Sequence, residues 1–107
     1  MGLHYALKDL FGKPPSEGNL ATAILSHDDL EVEFYEPRGA DYQQPHRRDE
    51  IYIIARGSGT FWMAGSPDIV FSAGDMLFAP AFLEHRFVEF SEDFASWVIF
   101  FGKEREA

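Results

Sequence analysis

Cysteine is absent from this chain of 107 residues. That excludes a disulfide framework, a thiolate nucleophile and any thiolate-ligated zinc site. Long hydrophobic runs are also missing. An apolar stretch such as Trp97-Val98-Ile99-Phe100-Phe101 has strand length, far below the ~20 residues of a membrane span. Basic residues are few, with 9 Lys and Arg against 18 Asp and Glu, for a net charge of −9. Nucleic acid and anionic membrane, both bound mainly through basic surface, are therefore not expected partners. The ordinary use of such a charge is solubility. The first ten residues carry neither the apolar core nor the small-residue cleavage site of a secretory leader, so a cytoplasmic location is expected.

What is present is apolar and aromatic. Hydrophobic residues make up 46% and aromatics 16%, with eleven Phe. Aromatic side chains pack well on pleated surfaces and suit a β-rich core. The length predicts a single domain over residues 1–107. Leu3, Leu7, Leu10 and Phe11 stand at helical spacing before Gly12, which predicts a short N-terminal helix over 3–11. Residues 13–18 are rich in chain breakers and predict a loop. From Leu20 the period falls to two. Strands are predicted over 20–26, 31–35, 50–56, 60–64, 68–71, 76–79, 84–90 and 94–101, with turn residues between them. Eight short, evenly spaced strands predict an all-β sandwich or barrel.

Two segments carry the chemistry. The first is Gln44-Pro45-His46, three residues, Glu50, six residues, Gly57. The second is Gly74, five residues, Pro80-Ala81-Phe82, two residues, His85, three residues, Glu89. Alternate residues of a strand share a face. His46 and Glu50 differ by an even number, so both can face one cavity, and His85 opens a later strand that can lie opposite. Two imidazoles and a carboxylate make an open metal site. Imidazole suits Zn, Fe, Ni and Cu, and the carboxylate admits Fe(II) or Mn(II).

These two segments, at 39–57 and 74–89, resemble the two motifs of the cupin superfamily. The resemblance implies a double-stranded β-helix, or jelly-roll barrel, with metal ligands at His46, Glu50 and His85. Three positions depart from the pattern: Gln44 stands for the first motif's leading His, Phe82 for an inner Gly and Glu89 for an Asn. The spacer from Gly39 to Gln44 is one residue short. Gln44 either supplies an amide oxygen to the metal or holds a water.

The remaining candidates have plainer alternatives. Tyr52, Phe61, Phe87 and Trp97 are candidates to line a pocket, although core packing explains most aromatics. Glu89 shares parity with His85 and is a candidate general base if it faces inward. In a bulged strand it is a surface carboxylate. Arg47 and Arg48 cannot both face inward. Gly57-Ser58-Gly59 reads as a hairpin turn, because no helix follows it.

The functional expectation is a cupin that holds one divalent transition metal (Fe, Mn, Zn or Ni) and acts on a small organic molecule by oxygenase- or isomerase-type chemistry. The alternative is a non-catalytic small-molecule-binding module without metal. A homodimer is also expected. The resemblance implies it, and Leu20, Ala21, Ala23, Ile24 and Leu25 are apolar on both strand faces, where a strand with one wet face would alternate. The competing explanation is that the N-terminal helix folds back over the second face.

Overall fold

The protein is described here from a computed structural model, which covers residues 2–13, 21–41 and 43–106. Eight antiparallel strands follow one another along the chain: β1 (Thr22–His27), β2 (Leu30–Tyr35), β3 (Asp49–Arg56), β4 (Ser58–Met63), β5 (Ile69–Ser72), β6 (Met76–Ala79), β7 (His85–Phe90) and β8 (Ala95–Phe101). All eight predicted strands are present, with ends shifted by one or two residues. The predicted starting residue Leu20 and loop residues 14–18 lie outside the described residues.

The strands form two sheets, one ordered β1-β2-β8-β3-β6 and the other β5-β4-β7. Every pairing is antiparallel, and β8 returns between β2 and β3. This is the all-β jelly-roll architecture predicted from the strand spacing and motifs. Among the described residues no helix is long and apolar enough to cross a membrane.

The core lies between the sheets. Tyr52 and Ile54 of β3, Phe61 of β4, Phe71 of β5, Phe87 of β7 and Val98 of β8 face one another there, all buried. Phe87 is the hub, with ring centroids 4.9 Å from Tyr52, 5.0 Å from Phe61 and 4.7 Å from Phe94. These separations suit the tilted and edge-on contacts that aromatic quadrupoles favour. The alternation of β3 is strict. Glu50, Tyr52 and Ile54 are buried, while the residues between them are less so.

The predicted N-terminal helix over 3–11 is not formed. In its place is a single 3₁₀ turn, Leu7–Asp9. A helix nucleus must fix several dihedrals for one hydrogen bond, and Ala6 at the cap position supplies no side-chain bond to offset that cost. The apolar spacing is used differently. Leu7, Leu10 and Phe11 pack with Phe34, Ala95, Ile24 and Trp97 on the outer face of the larger sheet. Part of that face is thus covered by the chain's own N-terminal segment.

Candidate metal centre

Glu50 and His85 come from opposite sheets and meet in the core. Glu50 points inward by the parity of β3, and His85 opens β7 with its side chain on the face of Phe87. Glu50 Oε1 lies 2.7 Å from His85 Nε2, and both side chains are 1% exposed. His46 approaches from the loop before β3, with its Nε2 4.0 Å from Glu50 Oε1. Its ring stands edge-on to Phe100 at 4.9 Å. Its carbonyl accepts a 2.7 Å bond from the Phe82 amide, which ties the His46 loop to the turn before β7. Phe82 has φ +69°. This is the left-handed region, where glycine is at ease and a side chain is strained. The resemblance placed a glycine at this position, and the backbone here keeps that conformation with a Phe.

The protonation pattern of the pair is fixed from outside. His85 Nδ1 lies 2.8 Å from the Leu83 carbonyl. A carbonyl only accepts, so Nδ1 carries a proton and a neutral His85 presents the bare lone pair of Nε2 to Glu50. Neither oxygen of the buried Glu50 carboxylate receives a directed hydrogen bond among the described residues, despite the short approach of His85. A buried, unsatisfied carboxylate is costly. A cation between the two atoms, whether proton or metal, removes that cost. Burial, the largest influence, lowers the His85 pKa. The hydrogen bond that a protonated Nε2 would make to Glu50, the charge of Glu50, the Leu83 carbonyl and the charge of Asp41 outweigh it and raise the pKa above the ordinary histidine value.

The donor set fits a divalent metal. Two imidazole nitrogens and a carboxylate are borderline-hard ligands. Neighbouring ligands on one ion at bonds of about 2.1 Å stand about 3 Å apart, close to the spacing of Glu50 Oε1 and His85 Nε2. His46 lies farther out. Among the described residues no three such side chains already stand at full ligand spacing.

Behind the pair runs a hydrogen-bonded chain. Tyr52 lies 3.1 Å from His85 Nε2 and donates to Gln43 Oε1 at 2.8 Å. Gln43 Nε2 donates to Asp41 at 2.8 Å, and Asp41 also accepts from Tyr35 Oη at 2.5 Å and from the Phe87 amide at 2.8 Å. Burial, then the charges of Glu50 and Asp41, push the Tyr52 hydroxyl well above the usual phenol range. Burial and Asp41 likewise raise Tyr35.

Beside the cluster, on the His46 side, lies a cleft of about 380 Å³ whose walls include Glu31, Glu33, His46, Arg48 and Phe100. Arg48 is committed to structure. It pairs with Glu31 at 2.6 Å and donates to the carbonyls of Gly102 and Asp29. Arg47 is exposed. Among the described residues Glu33 has no such partner cation, and its pKa is raised by burial first and then by the charges of Glu31 and Glu50.

The sequence-predicted residues separate into two groups. His46, Glu50 and His85 are brought together. Tyr52, Phe61 and Phe87 surround them, with Phe61 5.9 Å and Tyr52 6.0 Å from the His85 ring. Trp97 is not a lining residue. It sits on the outer face against Phe34, because Val98 and Phe100 take the inward parity of β8. Glu89 is exposed. The register of β7 against β4 shifts between Thr60 and Phe61, and this bulge at Val88 turns Glu89 outward as a surface carboxylate. Gln44 is exposed too. Its neighbour Gln43 is the amide that joins the buried network. Sequence reasoning missed Asp41, Gln43 and Glu33. Only Glu33 left a signal, since Glu31, Glu33 and Tyr35 share one parity of β2.

Comparison with known proteins agrees with the geometry. A family model for the cupin domain matches residues 31–101. An uncharacterized protein of Streptomyces coelicolor, SCO3923, is 32% identical over 60 residues, spanning 56% of each chain. The match thus covers little more than half the length of that relative. A cupin-2 domain-containing protein from Shewanella frigidimarina superposes with TM-score 0.65 at 20% identity, over 92% of this chain and 88% of that one. The DMSP lyase DddQ from Ruegeria pomeroyi superposes with TM-score 0.58 at 29% identity, over 76% of this chain and 42% of the lyase. With both motif segments inside the matched region and their side chains converging between two sheets, this chain belongs to the cupin family.

Proposed function

We propose that this cupin is a cytoplasmic protein that holds one divalent transition metal through His46, Glu50 and His85 and acts on a small organic molecule admitted by the cleft beside His46. The observation that carries the reading is the buried Glu50 carboxylate, unsatisfied by hydrogen bonds and 2.7 Å from an imidazole nitrogen whose proton faces away. A bound divalent metal supplies Lewis acidity toward a carbonyl, carboxylate or hydroxyl oxygen. The chain's own residues do the rest. His85 is oriented by the Leu83 carbonyl, in the way outer partners commonly fix a ligating imidazole. Phe61, Phe87 and Phe100 exclude water from the inner side. Glu33, on the cleft wall and without a cation partner among the described residues, would accept a hydrogen bond or proton from the entering molecule. The likeness to a DMSP lyase supports an enzyme-like role without naming this chain's substrate.

Elemental analysis of the purified protein tests the reading, with His46→Ala, Glu50→Gln and His85→Ala beside it. One metal per chain, lost in the variants, is expected. A metal-free protein that is stabilised by small organic ligands and gains nothing from added metal would instead establish a binding module.

We also propose that the chain pairs with a second copy. The supporting feature is an apolar row across the outer face of the larger sheet, formed in register by Phe78, Ile51, Ile99, Val32 and Leu25. Ile24 and Trp97 lie under the N-terminal segment and do not belong to it. A two-fold arrangement lets one patch meet itself.

A further inference from the structure

The chain Tyr52–Gln43–Asp41 has a directional consequence for the cluster. Gln43 is oriented by its amide nitrogen, which donates to Asp41 Oδ2 at 2.8 Å while its backbone N–H donates to Oδ1 at 3.1 Å. Its carbonyl oxygen is thereby turned to Tyr52, 2.8 Å away. A carbonyl oxygen can only accept, so the single proton of Tyr52 points to Gln43 and away from the cluster. On its other side Tyr52 Oη faces His85 Nε2 at 3.1 Å. The Nε2 of neutral His85 is unprotonated because Nδ1 donates to Leu83. Two buried acceptors, Tyr52 Oη at 3.1 Å and Glu50 Oε1 at 2.7 Å, therefore present lone pairs to His85 Nε2, itself an acceptor when His85 is neutral. With neither a proton nor a metal at Nε2, such a group of acceptors is repulsive in a low-dielectric interior.

We infer that Tyr52 is an additional metal ligand, its phenolic oxygen completing the set of His46, Glu50 and His85, with Gln43 and Asp41 as positioning residues. The assignment rests on the metal-binding reading above and deepens it. It fills the place for which the sequence offered Gln44, a residue whose side chain is exposed. Parity makes it possible, because Glu50 and Tyr52 are two apart on the inward face of β3.

Cobalt(II) titration of the full chain, followed by its visible ligand-field spectrum, provides the test. Wild-type protein is expected to bind, and Tyr52→Phe to bind about 10–100-fold more weakly with an altered spectrum. Ser96→Ala is the control. It removes a buried hydroxyl that donates to the Ile53 and Trp97 carbonyls rather than to the network behind the cluster, and it is expected to leave affinity and spectrum unchanged. Wild-type affinity and spectrum in Tyr52→Phe overturn the assignment while leaving the three-ligand reading intact. Failure of the wild type to bind cobalt overturns the three-ligand reading itself, and the assignment with it. Should Tyr52→Phe not fold, the wild type loaded with iron(III) is decisive. Binding of the trivalent ion would displace the Tyr52 proton to solvent, so a visible phenolate-to-iron charge-transfer band is expected, and its absence overturns the assignment.

Discussion

Glu50 Oε1 and His85 Nε2 stand 2.7 Å apart, one on each sheet, with both side chains 1% exposed. The pair joins the sheets through a polar contact inside an aromatic core. Removing one partner leaves the other buried without compensation, which costs about 3–5 kcal/mol. His85→Ala is therefore expected to lower the melting temperature of the metal-free protein by at least ten degrees, at roughly 4–8 °C per kcal/mol. Glu50→Gln keeps the shape, removes the charge and offers an N–H to His85, so its loss should be clearly smaller. Calorimetry on the two variants checks the order. An equal loss would mean that the Glu50 charge accounts for the whole of the pairing.

Metal should stabilise the wild type. At free metal about 100 times the dissociation constant, linkage gives roughly 2.7 kcal/mol. Stripping with EDTA is expected to lower the melting temperature by about ten degrees or more. The shift should vanish in His85→Ala and in Glu50→Gln.

The metal-free protein should lose stability as the pH rises. The His85 pKa is raised in the folded state, because Glu50, the Leu83 carbonyl and Asp41 together outweigh burial. The unfolded value is about 6.5. A raised folded value means that the folded state binds the proton more tightly. The contribution is then fully present below about pH 6.5 and disappears as pH climbs through the folded value. Melting temperature against pH in EDTA reads this directly. Glu50→Gln should flatten that part of the profile, and an unchanged slope would remove His85 as its source.

Two glycine substitutions separate close packing from backbone strain. A Cβ on Gly59 would fall 2.1 Å from the Glu89 carbonyl oxygen and 2.8 Å from Phe90 Cα, where β4 crosses β7. Gly59→Ala must part the strands, and a loss of ~3 kcal/mol is expected. Gly65, at φ +79°, has nothing within 4 Å, so Gly65→Ala should cost only the left-handed penalty of about 1–2 kcal/mol. Chemical denaturation of both variants gives the comparison.

The proposed pairing is measured by light scattering at micromolar concentration. Twice the chain mass of 12.2 kDa is expected. Phe78→Asp places a charge in the exposed apolar row and should return the protein to a single chain with its β-sheet signal intact. A single-chain mass for the wild type would set the pairing aside.

Much of this protein is legible along the chain. Short apolar or alternating runs between turn residues mark all eight strands, and where one face is buried, as in β3, the pleat is written directly into the order of residues. The even spacing of His46, Glu50 and Tyr52 assigns them to one side for the same reason. What the order of residues does not contain is depth, register and direction. Glu89 has the parity of an inward residue, yet a one-residue bulge at Val88 reverses it. Trp97 looks like a pocket residue until β8 is placed between β2 and β3, which commits its inward face to Val98 and Phe100. Gln44 and Gln43 are alike in sequence, and only the folded loop turns Gln43 to Asp41 and leaves Gln44 in water. The apolar spacing of Leu7, Leu10 and Phe11 is real, but contact with Phe34 and Ile24, rather than helix formation, satisfies it. Local alternation determined the strands and the candidate ligands. Long-range packing decided which side chains meet, because the contact between Glu50 and His85 exists only once two strands 35 residues apart face each other across the core.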